Sequence, residues 1–175
     1  MSCDISRGRL EPCKDSVGGL NAVYFVNKGD LGAITYDATD TDVIDAVAGT
    51  PDAYKFDIKG ASTYTENITS SRENGTTTFE QVLELQLTKL TKEDHKTVKL
   101  LAFGSPTVLV EDNNGNVFVA GLEHGLDVSG GTIVSGASMN DMSGYTLTFS
   151  GMEKAPANFL GDTISAVGFT VNEGV

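Results

Sequence analysis

The sequence predicts a mainly β domain, a two-sheet antiparallel β-sandwich or barrel with one flanking α-helix at about 91–103. Three observations predict it. Tyr145, Leu147 and Phe149 alternate with Thr146, Thr148 and Ser150, the period-two pattern of a half-buried strand. Asn74-Gly75 and Asn114-Gly115 each separate two strand-like runs, and this dipeptide favours the positive φ angles of hairpin turns. The 20 glycines follow no G-X-Y period, which suits a chain of short strands, turns and bulges.

Taken in order, residues 1–19 mix charges with Pro12 and Gly18-Gly19 and hold no sustained period; they read as an arm that docks elsewhere or stays mobile. Leu20 to Asn27 is apolar enough for a core strand, Lys28-Gly29-Asp30 closes it, and Ile34 to Tyr36 is placed to pair back. Within Asp37 to Pro51 the spacing of Val43, Ile44 and Val47 predicts one or two turns of helix, ended by Gly49 and Pro51. Ala53 to Ile58 alternates Tyr54, Phe56 and Ile58 with Lys55 and Asp57, a strand by period.

Thr63 to Thr69 and Thr76 to Leu87 form a long polar hairpin around Ser70, Ser71, Arg72, Glu73, Asn74 and Gly75. In its second arm Phe79, Val82 or Leu83, Leu85 and Leu87 share a face, and the loss of phase after Phe79 predicts a bulge. The helix begins at Thr91 with Glu93 and Asp94 in its first turn, where negative charge suits the helix dipole. Val98, Leu101 and Ala102 form its core-facing side, and Gly104 with Pro106 ends it. Thr107 to Val110 and Val117 to Ala120 flank Asp112 to Asn116 as a second hairpin, a further strand pair follows, and residues 161–175 form a last strand or an exchanged arm. About eight strands result. All of 1–175 reads as one domain with arms at 1–19 and 161–175.

Charge narrows the function. With 24 acidic against 12 basic residues, a formal net charge of −12, the chain has no lysine or arginine run to neutralise phosphates, which argues against sequence-specific nucleic-acid binding. No stretch approaches the roughly 20 apolar residues that span a bilayer, so no membrane partner is expected. Cys3 and Cys13 lack a CxxC spacing and a neighbouring histidine, and without a signal-peptide pattern two reduced thiols are expected over a small disulfide loop. Asn67-Ile-Thr and Asn74-Gly-Thr match the glycosylation acceptor pattern, which carries meaning only in a secreted chain.

Candidate chemistry is sparse. His95 and His124 are the two histidines, and neither a Gly-x-Ser-x-Gly elbow nor a Cys-His pair accompanies them, so no enzyme activity and no cofactor is expected. Asp112, Asn114 and Asn116 have the one-three-five spacing of a calcium loop with Glu123 twelfth. Against that reading, Val117 stands where the loop needs glycine and strands flank it, so no metal is expected.

The run Phe79 to Leu160 resembles the tail tube proteins (major tail proteins) of long-tailed bacteriophages and their relatives in contractile injection systems. The resemblance rests on FEQVLELQLTKLT, the helix after it, TVLVEDNNGNVFVAG, the Gly125-Leu126 step and GYTLTFSGMEKAPANFL. It implies a two-sheet sandwich that forms hexameric rings, stacked into a tube that DNA traverses without specific binding. It further implies inner sheets joined edge to edge between neighbours, ring-to-ring locking by a long hairpin and terminal arms, contacts with other tail proteins, and a place in the virion after assembly in the host cytoplasm. The hairpin Thr63 to Leu87 with its tip, Ser70 to Gly75, matches the stacking element. Two other readings stand beside it: another virion part, such as a head-tail connector ring or capsid decoration protein, and a carbohydrate- or calcium-binding β-sandwich module. The absence of tryptophan and of a signal-peptide pattern weighs against the last.

Overall fold

Apolar residues fill five successive positions of the first strand, Ala22 to Val26, so both of its faces must be covered, and the architecture is built around that demand. The computed structural model describes residues 3–58 and 60–174, which leaves Met1, Ser2 and Val175, the outermost residues of the two expected arms, outside the described residues together with Lys59. The strands of the first half are β1 (Leu20–Val26), β2 (Ile34–Tyr36), β3 (Val43–Val47), β4 (Asp52–Asp57), β5 (Thr63–Ser71) and β6 (Thr76–Thr88). Helix α1 (Lys92–Phe103) leads to β7 (Thr107–Asp112), β8 (Val117–Ala120), β9 (Asp127–Val134), β10 (Gly144–Glu153) and β11 (Asn158–Leu160), and a single helical turn, α2 (Ile164–Val167), precedes β12 (Thr170–Glu173).

The strands form two sheets, one of eight strands in the order β12-β4-β1-β7-β8-β11-β3-β2 and one of four in the order β5-β6-β10-β9. The mainly β, sandwich-like class expected from the sequence is present, but neither sheet closes into a barrel. Nor is the large sheet purely antiparallel: β11 runs parallel to β3 and β12 parallel to β4. The cause is the order of crossovers, since β11 and β12 return to the large sheet after the chain has built the small one.

One core lies between the sheets. Val23, Phe25, Val108 and Val110 of the large sheet meet Leu83, Leu85, Tyr145, Leu147 and Phe149 of the small one. Phe25 contacts Phe149 with ring centroids 5.2 Å apart and Phe56 at 5.0 Å edge-on, a favoured aromatic arrangement. The opposite face of β1, β7 and β8 buries Tyr24, Leu109 and Val119 against Ile44, Val47, Ile164, Val167 and Phe169. α2 packs on both β3 and β12, which lie near opposite ends of the large sheet, so that sheet curls until one helical turn bridges its ends.

Two expectations about the strands are overturned, each for an identifiable reason. The stretch expected to be helical within Asp37 to Pro51 forms β3 instead. Ile44 and Val47 are both buried at a helix-like spacing because the pairing of β2 with β3 slips by one residue between Thr35 and Tyr36, an irregularity that puts residues three apart on one side. The Asp and Thr residues before it make a turn, in which the Asp37 carboxylate accepts from the N–H groups of Thr39 (2.7 Å) and Asp40 (3.0 Å). Second, β6 carries no bulge near Phe79, for its register with β5 and β10 is unbroken. Gln81 keeps the phase instead, sitting 1% exposed between Phe79 and Leu83 on the core side.

Helix α1 starts where its sequence signals place it. The Thr91 hydroxyl accepts from the Asp94 N–H (3.0 Å) and donates to the Asp94 carboxylate (2.6 Å), and Tyr145 donates to the Thr91 carbonyl (3.2 Å). Val98 is buried and Leu101 half-buried against the inter-sheet core, whereas Ala102 is exposed and does not belong to the core-facing side. Residues 161–173 fold onto their own domain through α2 and β12, so the expected last strand is present.

Leu101→Asp is expected to destabilise the domain by roughly 2 kcal/mol or more, because a carboxylate replaces apolar contact with no partner offered. Ala102→Asp, one residue on but exposed, is expected to stay within about 0.5 kcal/mol of the parent. Denaturant melts of both variants check this, and equal effects would contradict the orientation of α1.

Candidate functional site

The longest local feature is the β5–β6 hairpin. β6 pairs with β10 only from Phe79 onward, so Thr76 to Thr78 and their β5 partners Thr69 to Ser71 extend beyond the body of the small sheet. At the tip Gly75 takes φ 63°, the left-handed region, and the Asn74 N–H donates to the Ser71 hydroxyl (3.3 Å). Ser70 and Thr77 hydroxyls lie 3.1 Å apart across the strands. Arg72 and Glu73 project into solvent, and Ile68 on the core-side phase of β5 is 69% exposed. The tip therefore offers polar groups around one uncovered aliphatic side chain. Asn67, the first glycosylation-pattern residue, lies within β5 with its amide 3.4 Å from the Glu80 carboxylate.

The small sheet has two unpaired edges, β5 and β9, each with a row of backbone N–H and C=O groups facing outward. β9 pairs with β10 through a slip at Ser129, whose hydroxyl donates to the Thr148 carbonyl (3.2 Å). The four strands contain Glu66, Glu80, Glu84, Asp127 and Glu153 and no lysine or arginine. Glu80 and Glu84 alternate with the core-side residues of β6 and so lie on the outer face, among Thr65, Thr146, Thr148 and Ser150. That face is hydroxyl-rich and acidic.

At one end of the sandwich the small sheet holds the segments that cross to the large one. Gln81 of β6 accepts from the buried Gly121 N–H (2.8 Å), Glu153 of β10 from the His124 N–H (2.8 Å), and Glu66 of β5 from the Ala157 N–H (3.0 Å). Gly121 and His124 belong to the link from β8 to β9, and Ala157 to the link from β10 to β11. Gly125 closes the first link at φ 80°, with its N–H on the Gly121 carbonyl (3.0 Å); a Cβ there would lie 2.5 Å from the Ser105 carbonyl oxygen. Tyr64 donates to Glu66 (2.6 Å), and burial, with that bond and the Glu66 charge, raises its pKa. A polar residue in phase with an apolar row, as Gln81 is, was the signal available in the sequence for this seam.

Glu123, His124 and Glu153 bring metal-ligating atoms within 4.8 Å of one another. The His124 ring nitrogen is already 3.0 Å from Glu153, and Glu123 pairs with Lys154 at 3.2 Å. The calcium-like stretch is likewise occupied. Asp112 accepts from the N–H groups of Asn114 (2.9 Å) and Asn116 (2.8 Å), while the Asn114 side chain binds both the N–H (2.9 Å) and the carbonyl (2.7 Å) of Val17. Asn113 adds a bond to the Gly18 carbonyl (2.9 Å). Burial pushes the Asp112 pKa up, but the bonds from Asn116 and Asn114 outweigh it and leave it below the usual carboxylate range. This loop anchors the root of the N-terminal arm. Its twelfth residue, Glu123, lies in the next link and reaches Lys154 instead.

Cys3 and Cys13 are both exposed free thiols. His95 is an exposed residue on α1 whose ring centroid lies 6.3 Å from that of Tyr145. No helix among the described residues is long and apolar enough to cross a membrane. No family model, curated protein or solved structure matches this chain.

Gln81→Leu is expected to destabilise the fold by about 1–3 kcal/mol despite adding apolar area, because it strips the buried Gly121 N–H of its acceptor. Chemical denaturation measures the change; a neutral or stabilised variant would show that water replaces the bond.

Proposed function

We propose that this chain is a structural subunit, a bacteriophage tail tube protein, whose copies join into hexameric rings that stack around a channel for DNA. The observation that carries the reading is the small sheet, with its two free edges and its outer face free of cations. An exposed pair of long edge strands is a hazard for a monomer and an asset for a ring, because β5 of one copy pairing with β9 of the next leaves no edge once the ring closes. The outer face of such a continuous sheet becomes the channel wall. Glu80 and Glu84 on that wall repel phosphates, and without lysine or arginine the wall has nothing to hold DNA through released counterions. The remaining acidic residues and the basic ones lie elsewhere, and the reading expects the bases to concentrate at subunit contacts.

The β5–β6 hairpin supports stacking, since its tip extends past the sheet and buries little on its own domain. The resemblance described above supports the same reading.

Electron microscopy of the purified full-length chain is expected to show long tubes with an acidic lumen. Single rings alone would favour a connector, and persistent monomers would sink the assembly reading. Replacing Ser70 to Gly75 by a short turn is expected to leave a folded subunit, by circular dichroism and thermal melting, that no longer polymerises. Normal tubes from that variant would remove the hairpin from the stacking contact.

A further inference from the structure

We propose that Asn74, at the tip of the β5–β6 hairpin, is a site of spontaneous covalent modification, where the carboxamide condenses with the Gly75 backbone nitrogen and is then hydrolysed to aspartate and isoaspartate. An Asn-Gly pair suits this chemistry because a residue without a side chain leaves its own amide nitrogen unhindered. The pair occurs twice in the chain, at Asn74-Gly75 and at Asn114-Gly115. The structure separates the two.

Exposure does not distinguish them, since all four residues are exposed and a Cβ on either glycine would meet nothing within 4 Å. Both glycines also lie in the left-handed region, at φ 63° and 84°. The difference is in what holds the reacting groups. The Asn114 carboxamide is fixed at both ends, its oxygen accepting from the Val17 N–H (2.9 Å) and its nitrogen donating to the Val17 carbonyl (2.7 Å). The Gly115 N–H, which would have to give up its proton and attack, donates to the Asp112 carbonyl (3.2 Å). Asn114 therefore reacts only after both sets of bonds break. At the hairpin tip neither restraint exists. The Asn74 carboxamide and the Gly75 N–H have no hydrogen-bond partner among the described residues, and the bond from the Asn74 N–H to the Ser71 hydroxyl (3.3 Å) leaves the side chain of Asn74 free to turn. It can reach the separation of about 3–3.5 Å from which ring closure proceeds.

The reaction needs no partner but water. Base takes the proton from the Gly75 nitrogen, which attacks Asn74 Cγ; the N–Cγ bond forms, the Cγ–Nδ2 bond breaks, and Nδ2 takes up a proton and leaves as ammonia. Water then opens the cyclic imide at either carbonyl. Opening at Cγ gives aspartate in a normal chain, and opening at the main-chain carbonyl routes the backbone through Cβ and gives isoaspartate. Either product sets a new carboxylate beside Glu73, and isoaspartate also lengthens the turn at residues 72–75, which aligns Thr76 to Thr78 with Thr69 to Ser71. The chemistry follows from the turn alone and does not rest on the assembly reading.

The test incubates the folded, full-length chain in mildly alkaline buffer and follows both sites by peptide mapping and mass spectrometry, with an isoaspartate-specific methyltransferase to detect the second product. Conversion at Asn74 is expected to run at least about tenfold faster than at Asn114, and to quicken as pH rises because the attacking nitrogen must lose its proton. In concentrated denaturant, where the bonds at Asn114 are gone, the two rates should come within about threefold. Comparable rates in the folded chain, or a faster Asn114, overturn the proposal. So does a tenfold gap that persists in denaturant, which would assign the difference to flanking sequence instead of to the fold. Asn74→Gln, with a side chain too long for the same ring, is expected to abolish conversion in this peptide and leave Asn114 unchanged; a signal that stays would place the reaction on another residue and overturn the assignment.

Discussion

The fold depends on a polar seam at one end of the sandwich. Apolar contact alone pulls the two sheets together but does not fix how they are joined, because the hydrophobic effect is non-directional. Glu66, Gln81 and Glu153, one from each of three neighbouring strands, help to fix it by accepting backbone N–H groups from two of the four links that cross between the sheets, β8 to β9 and β10 to β11. Leaving the buried Gly121 donor unmade is the costly case, and the part-buried bonds from His124 and Ala157 add to it.

The two sheets then take different physical roles. The large sheet is buried on both faces through its centre and ends in the short edge strands β12 and β2. The small sheet is buried on one face only and keeps both edges open. The ring contacts proposed above accordingly draw on the small sheet and its hairpin.

Much of this was legible in the sequence, and the losses have physical causes. The second hairpin arm, α1 and β10 were readable because one face of each is apolar at the period its geometry demands, and β1 because its apolar run is unbroken, as burial on both faces requires. β3 was not, because a slip in pairing imitates a helical spacing in Ile44 and Val47. Gln81 looked like a break in the pattern of β6 when it was the acceptor that the seam requires. The parallel placement of β11 and β12 has no local signal at all, since it is decided by where the chain last left the large sheet. For the site, the hairpin and its tip residues stood out by composition, but the polar seam joins residues of three strands to two links that no window of sequence brings together.

The slip at Ser129 bears on timing. A flat, regular edge lets an incoming strand slide by two residues and still pair, so wrong partners and wrong alignments form whenever subunits are concentrated during synthesis. On β9 the interruption breaks the repeat of the edge, and a strand that arrives out of step meets a gap in the row of donors and acceptors. If copies join along β9 as proposed, misaligned encounters are disfavoured against the one matching alignment. For an assembling subunit of the kind proposed, that lowers the hazard an open edge carries before it pairs.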